Sequence, residues 1–220
     1  MGHPVSLSTP NGRISGWRAD PPFPAHGAVV VVQEIFGVNH HIRQQVDRFA
    51  AHGFTALAPA FFDHVDYQIE LEYDAAGVDR GRELVARIGF DKTLMDIESV
   101  VAELQGEAKV GIAGFCWGGT VAYLGNTRLG LPAVSYYGGR TVPFLRERLK
   151  APMLFHFGEH DPIVPPEDVA AHREAHPEAT VYSYPAGHGF NCDARADYDA
   201  ASAREAMDRT ISFFTRHLKP

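Results

Sequence analysis

A chain of 220 residues with 27 acidic and 20 basic side chains has a formal net charge of −7, a balance that repels phosphate backbones and anionic lipid. Its two cysteines do not make the disulfide framework of a small secreted domain, and the longest aliphatic run, Val29 to Val32, is far too short to span a bilayer. Nucleic-acid and membrane partners are therefore not expected; a soluble, cytoplasmic protein, monomer or homodimer, is.

No linker-like tract divides the chain, so residues 1–220 are read as one domain, long enough to bury roughly 70% of its extended surface. "VSLST" and "RISGWRA" flank "PNG", a turn signal, and predict an N-terminal β-hairpin. "GAVVVVQEIFG" carries a β-branched run suited to a strand covered on both faces. Ile42, Val46 and Phe49 then recur at helical spacing, with Gly53 placed to stop the helix. "FTALAPAFF" reads as the next strand, whereas residues 63–90 are polar, aromatic and irregular, and fit a cap over a site. Leu94, Ile97, Val101 and Leu104 make an amphipathic stripe before the strand "KVGIAGF". "AVSYYGG", "APMLFHFGEHD" and "TVYSYPAGH" are three further strands, with a helix near 166–176 between the last two. Ala200, Ala203, Met207, Ile211, Phe214 and Leu218 form the apolar face of a final helix. Such alternation predicts an α/β fold: a mostly parallel central sheet with helices on both faces.

Ligands of such sheets bind beyond the carboxyl ends of the strands. Glu34, Cys116, Asp161 and His188 each fall at or just past a predicted strand end, so four segments aim reactive groups at one edge. "GFCWG" is a nucleophile elbow with cysteine in place of serine: the tight turn lifts the sulfur clear of the sheet and turns the Trp117 N–H toward an oxyanion beside it. The helix that starts there favours a thiolate through its N-terminal dipole. Asp161 and His188 follow in the order nucleophile, acid, histidine, with the histidine as proton carrier and the aspartate as its orienter. Glu34, in an apolar strand end, needs a cation or proton donor beside it. His172 and His176, one helical turn apart, lack a third ligand and the metalloprotease order, so no metal is expected. His40 and His41 read as the exposed start of a helix.

Taken together, "QEIFGVN", "GFCWGG", "GEHDPIVP" and "HGF" before a long C-terminal helix resemble the dienelactone hydrolases over nearly the whole chain. The resemblance implies an α/β-hydrolase fold, a Cys-His-Asp triad of Cys116, His188 and Asp161, and no cofactor. It also implies that Glu34 helps generate the thiolate when substrate arrives, and that the Ile35 N–H completes the oxyanion hole. The implied substrate is dienelactone, a small lactone opened to maleylacetate in aromatic-compound degradation. Arg80 or Arg82 is the expected first anchor for its carboxylate, with Phe36 and Tyr137 as further substrate-binding residues. Cys192 stands four residues after His188, where the family carries a second arginine, which leaves Arg195 or Arg140 to substitute. Another small ester or thioester is the alternative substrate; a non-catalytic binding or thiol-redox protein is the alternative of a different class.

Overall fold

The computed structural model describes residues 1–106 and 108–219. Eight strands form one sheet: β1 (His3–Thr9), β2 (Gly12–Ala19), β3 (Ala28–Val32), β4 (Thr55–Pro59), β5 (Val110–Phe115), β6 (Ala133–Tyr136), β7 (Met153–Gly158) and β8 (Thr180–Tyr184). Their spatial order is β1-β2-β4-β3-β5-β6-β7-β8. The β1–β2 and β2–β4 pairs are antiparallel, and every pair from β4 to β8 is parallel. All eight strands expected from the sequence are present.

Alternation along β3 divides the core. Val30 and Val32 pack on one face and Val29 and Val31 on the other, all fully buried, each worth about 1.5–3 kcal/mol relative to exposure. The first face is covered by α2 (Ala75–Gln105), α3 (Trp117–Leu129) and α4 (Pro166–Ala175), and the second by α1 (His40–Ala51) and α5 (Ala200–Leu218). Helix α1 starts where the Asn39 side chain accepts a hydrogen bond from the Ile42 N–H, and Gly53, at φ +92°, follows its end. On α5 the expected face is seated through Ala203, Met207, Phe214 and Leu218; Ile211 is half-buried, and Ala200, in the first turn, is exposed.

Residues 63–90 are more regular than their composition suggests. After a short 3₁₀ turn at Phe61–His64 the chain enters α2, whose first turn is capped by the Asp74 carboxylate on the Gly77 N–H. Gly89 then adopts φ 71°, ψ 165° in the middle of the helix. That residue shifts the helical phase, so the apolar positions before and after it do not form one continuous stripe. The buried pair of His64 Nε2 and Asp96 Oδ2, 2.6 Å apart, fastens the turn to α2, and Asn11 Nδ2 donates to the same carboxylate from the hairpin at 2.8 Å. Among the described residues no helix is long and apolar enough to cross a membrane.

Candidate active site

Cys116 occupies the single residue between β5 and α3, at φ 53°, ψ −115°. That region costs a non-glycine residue about 1–3 kcal/mol and persists only where the surroundings enforce it. Here they do. The Cys116 N–H donates to the Tyr136 carbonyl of β6 at 3.0 Å, and the chain crosses itself so closely that a Cβ on Gly114 would lie 1.8 Å from the Gly118 carbonyl oxygen. The half-buried thiol is thus presented at the start of α3, where the Trp117 N–H has no helical carbonyl four residues behind it.

Two loops complete the arrangement. His188 Nε2 lies 3.1 Å from Cys116 Sγ, and His188 Nδ1 lies 2.7 Å from Asp161 Oδ2. The other carboxylate oxygen of Asp161 accepts from the Ile163 and Val164 N–H groups at 2.7 and 3.1 Å. Asp161 therefore both caps its own turn after β7 and fixes the imidazole. Tyr137 packs edge-on against the His188 ring, with centroids 5.1 Å apart, and holds it from behind.

Burial disfavours a charged imidazole, but the sulfur and the Asp161 carboxylate outweigh it and push His188 up to about 10. The ring accordingly keeps its proton at neutral pH. An unfolded histidine titrates near ~6.5, so the stabilisation is complete below ~6.5 and is lost as pH rises through about 10. The urea midpoint of the wild type should exceed that of His188→Gln most at about pH 6, with a gap that shrinks steadily in alkali. A gap that widens with pH would count against the charged ring.

Glu34, just past β3, is 1% exposed. Its Oε1 lies 3.4 Å from an Arg195 guanidinium nitrogen, which is the cation its burial demands. Burial raises the carboxyl above its ordinary range, against the opposing pull of Arg195 and His188. Its Oε2 has no hydrogen-bond partner among the described residues, although the Tyr73 hydroxyl lies near.

The thiol opens on a cavity of about 200 Å³. Ile35, Phe36, Val78, Trp117 and Ile163 supply apolar walls, and Arg82, Arg140 and Arg195 bring three guanidinium groups to it, beside Cys116 and His188. A wider groove of about 720 Å³, at the amino ends of β7 and β8, carries none of these residues.

Several expectations change. Arg80 is not a wall of the cavity: it points along α2 into an ion pair with Glu83 at 2.7 Å. Tyr137 is fully buried behind His188 and does not line the cavity. His41 is buried, unlike exposed His40, because the Asn39 cap turns it inward, edge-on to Phe115. Val78 and Ile163 gave no signal in the sequence, since ordinary aliphatic residues mark a wall only once the chain is folded. His172 and His176 serve the core: His172 Nδ1 meets the Asp168 carbonyl and His176 Nε2 the Tyr123 hydroxyl, at 2.7 and 2.9 Å.

A family model described as the dienelactone hydrolase family matches residues 14–218. A Synechocystis sp. protein named "Putative carboxymethylenebutenolidase" is 31% identical, covering 98% of this chain and 96% of its own. The "Carboxymethylenebutenolidase" of Pseudomonas putida is 28% identical, covering 95% and 94%. The crystal structure of a "Putative Dienelactone Hydrolase" from Klebsiella pneumoniae superposes with a TM-score of 0.85 at 28% identity, covering 99% of this chain and 100% of that one. With a matching α/β sheet and a model match over nearly its whole length, the chain belongs to the dienelactone hydrolase family, a family of hydrolases acting on esters and lactones.

Proposed function

We propose that the protein opens the lactone ring of dienelactone, or of a closely similar small anionic lactone, by thiol catalysis in aromatic-compound degradation. The observation that carries this reading is His188 bridging Cys116 Sγ at 3.1 Å and Asp161 at 2.7 Å, at the floor of an arginine-lined cavity. The volume of about 200 Å³ is below the ~300–1,000 Å³ of sites for drug-sized ligands, and favours a compact ring over a long acyl chain.

The sulfur attacks the lactone carbonyl, and the oxyanion is received by the backbone N–H groups of Ile35 and Trp117. Collapse breaks the ring C–O bond and expels an enolate, which takes the proton carried by His188, and leaves a thioester on Cys116. His188, kept in orientation by Asp161, draws the proton from a water molecule that attacks the thioester, and the acid leaves as the thiol is regenerated. A substrate carboxylate competes with Glu34 for Arg195. Glu34, once freed, is then available to take the thiol proton.

The test is a panel assay: loss of dienelactone ultraviolet absorbance beside turnover of small uncharged aryl esters. The Arg82→Ala variant should lose about 10- to 100-fold in kcat/KM on dienelactone, as expected for one charge-assisted contact, with little change on neutral esters. Equal losses on both would remove Arg82 as an anion anchor. Turnover of neutral esters with dienelactone untouched would favour the second reading, a cysteine esterase of another small ester. Cys192 in the position where the family carries an arginine is the observation that supports that reading.

A further inference from the structure

Behind the cavity, three buried side chains that no single segment supplies converge. Glu34 follows β3, His41 lies in the first turn of α1, and Cys192 lies in the loop beyond His188. One ligand atom from each falls within 4.8 Å of the others. All three residues are at most 3% exposed. Two of their polar atoms, Glu34 Oε2 and His41 Nε2, have no hydrogen-bond partner among the described residues. Leaving such buried atoms unsatisfied is unfavourable, so the cluster has something to gain from an occupant.

We propose that Glu34, His41 and Cys192 form a binding site for a thiophilic divalent cation of the zinc class. The donor set of one carboxylate oxygen, one imidazole nitrogen and one thiolate is that of a borderline-soft ion, and excludes the all-oxygen preference of magnesium and calcium. Bonds of about 2.0–2.3 Å in a tetrahedral site put ligand atoms roughly 3.3–3.7 Å apart, so from separations within 4.8 Å the side chains close by no more than about 1.5 Å. Coordination replaces the Cys192 S–H bond by a sulfur–metal bond and releases that proton to solvent. The Glu34 carboxylate and Cys192 thiolate offset the charge that Arg195 sets against a cation here. An ion held there takes Glu34 out of its pair with Arg195.

Cobalt is the probe, because a thiolate-to-cobalt charge-transfer band reports sulfur ligation without any turnover; failure here is therefore distinguishable from failure of the hydrolase reading. Protein stripped with chelator under reductant should bind one cobalt ion per chain with that band, and zinc should displace it. Cys116→Ala should retain the band, Cys192→Ser should lose it, and His41→Gln should weaken cobalt at least about 10-fold. A band lost in Cys116→Ala and kept in Cys192→Ser would put the ion on the sulfur–imidazole pair and overturn the proposal. So would a wild type that takes up no stoichiometric cobalt. If Cys192→Ser does not fold by circular dichroism, His41→Gln decides, and unchanged cobalt affinity in that variant overturns the site.

Discussion

Replacing Cys116 by alanine should lower hydrolysis of dienelactone and of activated esters by at least about 10³-fold, the scale on which loss of a nucleophile is felt in triad enzymes. Serine should rescue little. A hydroxyl is a far weaker acid than a thiol, so it forms no anion at the elbow and its proton must be removed during attack in a site built around a sulfur nucleophile. The Cys116→Ser variant is therefore expected to stay at least about 10²-fold below wild type. Steady-state kcat/KM on both substrates checks this, with urea unfolding to verify that the variants fold. Equal rates for wild type and alanine variant would leave only a binding or redox role for the fold.

The largest effect on stability is expected at Gly114. Its added Cβ would meet the Gly118 carbonyl oxygen at 1.8 Å, the Gly118 carbonyl carbon at 2.3 Å and the Gly119 nitrogen at 2.9 Å. All three are backbone atoms of the elbow, so no side chain can swing aside, and overpacking that must move backbone exceeds the usual 1–3 kcal/mol. Gly114→Ala should lose about 3 kcal/mol or more and displace Cys116 from His188, abolishing activity with it. Gly106→Ala is the control: its φ is −64° and the nearest atom to an added Cβ stands at 3.5 Å, so a change within about 1 kcal/mol is expected. Chemical denaturation of both variants separates the cases, and a Gly114→Ala protein as stable and active as wild type would show that the crossing is not tight.

The strand ends could be read from the sequence because their signals are local. "GFCWG", "GEHD" and "PAGHG" each combine an apolar run with glycine or a turn at the point where the chain leaves the sheet; Cys116 and His188 at those points reach the cavity, and Asp161 reaches His188. The need of Glu34 for a cation was equally legible, but the identity of the cation was not. Arg195 lies 161 positions away, and only the folded chain brings the two together. His41 illustrates the same limit on a smaller scale, since adjacent histidines at a helix start give no periodicity by which to tell the inward one from the outward one. Arg80 and Arg82 failed to separate for a related reason: their segment's helical phase is broken at Gly89, so side-chain directions had no stripe from which to be measured.

The two outer strands of the sheet each carry a feature that blunts an exposed edge. One flank is β1, which carries Pro4 and so lacks one of the amide donors that a foreign strand would require. The other is β8, five residues long, where the Arg209 guanidinium lies 3.7 Å from the centre of the Tyr182 ring and stations a cation beside the unpaired rim. Both borders of an otherwise adhesive parallel array are thus poor templates for a further strand, and the valine-rich middle stays out of reach.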